Sequence, residues 1–298
     1  MAESGILLVD KPSGVTSHDV VARARRARGT RKVGHAGTLD PMATGLLVVG
    51  VEAATRLLTF IVGLDKTYRT TIRLGSATST DDAEGDVVDV SSRADLEAVS
   101  DERIREGVAA LTGDIAQVPS AVSAVKVDGR RAYDRVRAGE TVELAARNVT
   151  VSRFAVSAVR RDAGFIDIDA EIDCSTGTYI RALARDLGAS LGVGGHLTML
   201  RRTRIGEFSV DEASGSDELE RAPILPPADV AGRVLGALEV TSDVARDLRH
   251  GKRVAVPEAF EGQRAAVDPD GELIGVVERR GETMKSTMNM PERQGEDR

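Results

Sequence analysis

The 298-residue chain has no tryptophan, and aromatic residues make up only 3% of it. Its hydrophobic share of 41% must therefore build a core mostly from Leu, Val, Ile and Ala. A single cysteine, Cys174, excludes an internal disulfide framework and suits a reducing compartment. The four histidines (His18, His35, His196 and His250) show no ligand spacing with it, so no metal site is expected. Apolar runs stop at about six residues, far short of the roughly 20 that a membrane helix needs. The opening "MAESGILLVDKPSG" has neither the basic start nor the apolar stretch of a secretory signal. The expectation is a cytoplasmic protein with no membrane association. The sequence also lacks a Gly-x-x-x-x-Gly-Lys-Ser/Thr phosphate loop and a Gly-x-Ser-x-Gly nucleophile elbow. "DDAEGD" fails as a calcium loop: with Gly85 on the required glycine, Thr80 and Ser91 fall on the terminal ligand positions.

Charge of one sign is scarce locally rather than globally. The net charge is −7, which by itself argues against a polyanionic partner. Yet Lys11 to His35 holds seven Lys or Arg and a single acid, Asp19, whereas Asp211–Glu220 holds five acids and no base. The average hides a basic segment, which a solvated helix face would also explain.

Pattern and punctuation give a coarse order of elements. "ILLVD" reads as a buried strand, and "TSHDVVARARRARG" as a helix capped by Ser17 and ended at Gly29. "LLVVGV" is a second strand, followed by an amphipathic helix in "EAATRLLTFIVG". Lys66–Gly75 alternates, with Tyr68, Thr70, Ile72 and Leu74 on one face. "TSTDDAEGDVVDV" reads as an acidic loop, and "SDERIREGVAALTG" as a capped helix ending at Gly113. "SAVSAVKVDGRRAYDRV" reads as a strand, an Asp-Gly turn and a short helix. "GFIDIDAEID" alternates clearly, and "TYIRALARDLG" is a helix that buries Ile180, Leu183 and Leu187. There is no regular βαβ rhythm, so the expected class is α+β with a mixed, largely antiparallel sheet flanked by helices. "SGSDELERAPILPPADV" looks like a boundary. The division expected is a catalytic domain over 1–228, a small β-rich module over 229–282 and a disordered tail over 283–298.

One stretch stands apart: "GHAGTLDPMATGLLVVG", where glycines and a proline surround a lone acid, Asp40, just before a buried strand. An Asx turn before Pro41 would account for it. So would an acid presented where Gly34 and Gly37 let another molecule approach the backbone. Arg181 is a candidate cationic neighbour. Arg181 and Arg185 lie four apart on one helix face, a spacing that costs a few tenths of a kcal/mol unless an anion is near.

These residues combine into a resemblance. "LLVDKPSGVTSHDVV", "GHAGTLDPMATGLLVVG", "DKTYRTTIRLG", "VPSAVSAVKVDGRRAYDRVRAG" and "STGTYIRALARDLG" follow one another in order. Over roughly residues 5–210 the chain resembles the TruB family of bacterial tRNA pseudouridine-55 synthases. The resemblance implies a pseudouridine synthase fold with a small PUA-like C-terminal module. It implies that Asp40 is the catalytic aspartate, that Tyr68 stacks on the uracil and assists removal of its C5 proton, and that Arg181 pairs with the aspartate. It places Asp82 beside that arginine, Tyr179 and Leu200 at the uracil pocket, and His35 in the space left when nucleotides flip out. Lys11, Lys126 and Tyr133 fall in family motifs, as RNA contact or scaffold. The partner implied is the T arm of tRNA, bound by a monomer without a guide RNA.

The chemistry agrees with that implication. A base in a folded loop hides its reacting atoms and must be extruded at a few kcal/mol, then stacked on a flat surface. Lys11, Arg25, Arg26, Arg28 and Lys32 would supply phosphate contacts. Pseudouridine formation is an isomerisation, so no cofactor is required. Asp40 could attack C6 of uracil or C1′ of ribose, or promote loss of the C2′ proton; the sequence leaves all three open. A second reading is a tRNA-folding chaperone whose RNA binding matters more than modification.

Overall fold

The structure, a computed structural model, describes residues 2–120, 144–162, 164–257 and 259–292, with the backbone of 126–127 and 130–131. The chain opens with β1 (Gly5–Lys11), α1 (Ser17–Ala27), β2 (Val33–Ala36) and β3 (Thr44–Val51). A 3-10 turn (Glu52–Leu57) and the single-turn α2 (Leu58–Ile61) lead to β4 (Lys66–Leu74), β5 (Ser76–Thr78) and β6 (Val87–Val90). Then come α3 (Arg93–Glu97), α4 (Asp101–Ala110), β7 (Gly113–Gln117) and the short pair β8 (Lys126–Val127) and β9 (Arg130–Arg131). The long strands β10 (Arg147–Asp162) and β11 (Phe165–Cys174) precede α5 (Ile180–Leu191), β12 (Gly195–Ile205), β13 (Phe208–Ser209) and β14 (Ser214–Gly215). The chain continues with α6 (Pro227–Leu235), β15 (Ala237–Glu239), α7 (Ser242–Arg249) and β16 (Val254–Ala255). Strands β17 (Gln263–Val267), β18 (Leu273–Arg280) and β19 (Thr283–Asn289) complete it.

The class is α+β with mostly antiparallel pairing, as the sequence pattern indicates. The division into units differs from the expected one. One compact unit joins residues 1–40 and 45–62 to 206–298; the other comprises 41–44 and 63–205.

In the first unit β3 pairs antiparallel with both β1 and β2, and β14 runs parallel to β1. Alternate residues Leu7, Val9, Leu47, Val49 and Val51 send their side chains under Val20, Val21 and Ala24 of α1. The cap of α1 is Thr16, one residue before the one expected. Its hydroxyl accepts from Asp19 N–H while the Asp19 carboxylate accepts from Thr16 N–H, a reciprocal capping box. The expected helix over "EAATRLLTFIVG" is mainly the 3-10 turn: Glu52 has φ 52, and Thr55 Oγ1 donates to its carbonyl at 2.7 Å.

The stretch read as a boundary is itself packed structure. Leu219 and Ala222 join the α1 core, and Leu225 exchanges backbone hydrogen bonds with Ile6 at 2.8 and 3.0 Å. Acids alternate there with residues that tuck inward, and averaging over composition hides that. The C-terminal part carries its own five-stranded sheet, ordered β15-β17-β18-β19-β16, with α7 over a core of Leu248, Ile274, Val277 and Met284. Here the disordered-tail expectation is corrected. Residues Thr283–Asn289 form β19, paired with β18 and anchored by the fully buried Met284.

The second unit is an antiparallel sheet in the order β12-β4-β11-β10-β7. One face is dry: Tyr68, Thr70, Ile72 and Leu74 of β4 lie beside Ile166, Ile168, Ala170 and Ile172 of β11, all buried. Helix α5 buries Ile180, Leu183 and Leu187, as its periodicity indicates. Gly188 lets it approach β12 closely, since a Cβ there would meet the Gly194 carbonyl carbon at 2.2 Å. The "acidic loop" is a hairpin, β5 paired with β6. Most of the "SAVSAVKVDGRRAYDRV" segment, Tyr133 included, lies outside the described residues. Among the described residues no helix is long and apolar enough to cross a membrane.

Candidate active site

Asp40 sits in the segment Gly37–Ala43 that links the paired strands β2 and β3, and it is half-buried. The ladder between these strands closes at Ala36 opposite Val48, so the loop bulges free of strand pairing. Gly37 has φ 86, a conformation that excludes most side chains there. Next to Asp40 the chain is pinned. Leu39 is 3% exposed, its N–H donates to Ser17 Oγ at 2.9 Å, and the same hydroxyl donates to the Leu39 carbonyl at 3.1 Å. His35 lies on β2 opposite Val49, with its ring edge-to-face against His18 at 5.6 Å.

In the second unit the two arginines of α5 divide two aspartates between them. Arg181 is 4% exposed. Its Nη1 donates to the Thr80 carbonyl at 2.7 Å and lies 3.3 Å from Asp82 Oδ2. Arg185 reaches Asp81 at 3.3 Å, the Val118 carbonyl at 2.7 Å and Asp186. Like charges one turn apart are thus each matched by an anion.

Asp82 is itself 3% exposed and held by the hairpin loop. Its Oδ1 accepts from Thr80 Oγ1 at 2.5 Å and from Glu84 N–H at 3.1 Å. Asp81 adopts φ 61, so the turn that separates the two carboxylates is strained. A buried arginine with a fixed carboxylate and a carbonyl is a rigid donor fork.

Tyr68 is 8% exposed, on β4 between Ile172 and Arg202 of the neighbouring strands. Leu200 is 6% exposed and stands opposite Thr70, whose hydroxyl donates to the Met199 carbonyl at 2.7 Å. Tyr179 caps α5 in an extended conformation. A residue that sequence reasoning passed over fixes it there: Gln117, 2% exposed, accepts from Tyr179 N–H at 2.8 Å and donates to its carbonyl at 3.1 Å. Ser17, read only as a helix cap, was missed in the same way. Each clamp joins residues distant in sequence, so no local spacing announces it.

The expected RNA-contact residues separate. Lys11 is fully buried, with its ammonium donating to the carbonyls of Pro12 at 3.0 Å and Val15 at 2.7 Å, so it staples a turn and leaves the contact set. Arg28 is drawn inward to the Ala222 carbonyl. Arg25, Arg26 and Lys32 are exposed, as is Arg31. Lys126 lies in the short strand β8; its side chain is outside the described residues.

Residues 25–180 match the TruB family pseudouridylate synthase N-terminal domain. The chain belongs to the TruB family of pseudouridylate synthases. Residues 181–233 match the tRNA pseudouridylate synthase B C-terminal domain, and 235–291 the tRNA pseudouridine synthase II C-terminal domain. Its relatives include tRNA pseudouridine synthase B of Leifsonia xyli subsp. xyli, 57% identical over 98% of both chains. The same protein of Mycobacterium sp. strain KMS is 54% identical over 95% of both. In fold the chain is similar to a protein in an H/ACA RNP bound to a substrate RNA, with TM-score 0.71 and 23% identity over 97% of this chain and 86% of that one. A Cbf5-Nop10-Gar1 complex gives TM-score 0.70 and 25% identity over 97% and 84%.

Proposed function

We propose that this enzyme converts uridine 55 in the T loop of tRNA to pseudouridine, acting as a single chain without guide RNA. The observation that carries the reading is the placement of Asp40 on a glycine-turned loop whose neighbouring residue is immobilised, in a chain 57% identical along its length to a tRNA pseudouridine synthase B. The target nucleotide is extruded from the T loop, stacked on Tyr68 and bounded by Tyr179 and Leu200. Asp40 then enables cleavage of the N1–C1′ bond. The freed uracil turns, C5 bonds to C1′, N1 takes up a proton, and the C5 proton leaves to solvent. Atoms balance without oxidant or nucleotide cofactor. Attack by Asp40 at C6, attack at C1′ and C2′ deprotonation each require its carboxylate. Arg181, held by Asp82 and the Thr80 carbonyl, is the fixed positive charge assigned to stabilise charge that develops in the reaction. The exposed cations Arg25, Arg26 and Lys32 meet backbone phosphates.

Incubating the enzyme with an unmodified tRNA transcript and mapping pseudouridine by nucleotide-resolution sequencing tests the reading. One modified position, in the T loop, is expected, and replacing that uridine by cytidine should abolish the product. Modification at another tRNA position, or of several positions equally, would contradict it.

A further inference from the structure

A carboxylate that must meet one atom of an extruded nucleotide cannot be carried on a wandering loop. We propose that Ser17 is a positioning residue for Asp40: its buried hydroxyl clamps both backbone groups of Leu39 and so fixes where the adjoining carboxylate lies. The inference rests on the reading that Asp40 is the reacting group.

Ser17 is fully buried at the first turn of α1, and its hydroxyl has one donor and accepting lone pairs. Both capacities are spent on Leu39, which lies 22 residues away in sequence. The strand ladder ends at Ala36, so these two bonds replace the pairing that β2 and β3 give their own residues. The Leu39 side chain is buried as well, leaving its backbone groups few other partners. Backbone and side chain of Leu39 are thus both fixed, and the Asp40 Cα is one peptide unit, about 3.8 Å, further on.

The anchor itself is stiff. Thr16 and Asp19 close a capping box around the turn that carries Ser17. His18 of that turn packs its ring against His35, on the other side of the loop, at 5.6 Å. One helical turn therefore holds the chain at both His35 and Leu39. Alanine would remove the clamp, and cysteine would fill the space with a weaker hydrogen-bonding group.

Single-turnover tritium release from C5-labelled uridine in a saturating T-arm hairpin gives the rate, and filter binding of the same RNA gives Kd. Ser17→Ala should lower the rate about 10- to 100-fold, the scale of a misplacement near 1 Å, with Kd within about twofold of wild type. Ser17→Cys should fall between them. Val20→Ala truncates the same helix in the same core without touching Leu39, so it should lower the thermal midpoint and leave the rate alone. A wild-type rate in Ser17→Ala or Ser17→Cys, or an equal loss in Val20→Ala, would overturn the positioning role. Asp40→Asn separates the two levels of inference: release by that variant would overturn the reading of Asp40 itself, whereas a dead Asp40→Asn beside a fully active Ser17→Ala would remove Ser17 alone.

Discussion

The second unit uses the same two residue types, arginine and aspartate or glutamate, in two places with opposite consequences. On the wet face of the sheet, cross-strand pairs form a ladder: Arg69 with Glu171, Arg153 with Glu171 and Asp173, Arg160 with Asp169, and Arg73 with Asp167 at 2.7 Å. Behind the dry face, Arg181 meets Asp82 with their side chains only 5% and 4% exposed. Water screens the ladder, so each of its pairs contributes little. The buried pair has lost its hydration, and removing one partner strands the other charge. A protein of limited stability tolerates such a pair where geometry is needed, and the proposed function gives this pair a role in the reaction.

Substitution can break that contrast. Arg181→Lys keeps the charge and loses the planar fork, so turnover should fall by well over about tenfold while tRNA affinity barely moves. Asp82→Asn should behave similarly and also destabilise, by roughly 3–5 kcal/mol if the arginine finds no other anion. Arg153→Lys, by contrast, should leave both rate and thermal midpoint within the scatter of replicates. A wild-type single-turnover rate in Arg181→Lys would erase the distinction between the two places.

A second test concerns charge beyond the site. Replacing Arg25, Arg26 and Lys32 together by glutamine should flatten the dependence of log affinity on log salt by about two to three. Arg28→Gln should not, because that side chain is committed to the Ala222 carbonyl. An unchanged slope in the triple variant would move the RNA surface elsewhere.

Much of this contrast was legible in the sequence. Alternation in β4 and β11 gave the dry and wet faces, and the i,i+4 arginines announced that anions were needed. The box Thr16-x-x-Asp19 was also there to be read, and the adjacent serine drew the cap one residue too far. The last strand, Thr283–Asn289, was lost in a polar composition, and a register shift between Ser286 and Met288 breaks the alternation that would mark it. What could not be read were side chains reaching across the fold, Ser17 to Leu39 and Gln117 to Tyr179, because tertiary packing alone makes them neighbours. The burial of Lys11 was hidden for the same reason.

The ladder and the interior also differ in their response to pH. Hydrogen bonds from Arg153 and Arg69 hold Glu171 below the usual carboxylate range, and Arg160 does the same for Asp169. Their contribution is present at neutral pH and is lost as the pH falls through those lowered values. Lys66, buried beside Cys174, behaves oppositely: burial lowers its pKa to about 8. Between about pH 8 and 10 the unfolded chain binds that proton and the fold does not, so stability gains as the pH rises. Lys66→Met should lose this gain, on the order of 3 kcal/mol at most, in chemical denaturation followed from pH 7 to 10. Parallel pH profiles for the two proteins would contradict the assignment.

The smallest effect is expected where the contrast predicts silence. Arg69→Gln and Arg160→Gln, on the wet face, should shift neither tritium release nor RNA affinity measurably, and a loss in either would draw that face into RNA contact.

The central claim is that Asp40, on its clamped loop, is the reacting carboxylate. Asp40→Asn is nearly isosteric and keeps the loop's hydrogen-bonding capacity, while an amide is a poor nucleophile and a poor base. The decisive measurement is tritium release from C5-labelled uridine in a T-arm hairpin by this variant, with filter binding of the same RNA. The account predicts undetectable release with Kd within a few-fold of wild type; release at a measurable fraction of the wild-type rate would contradict it.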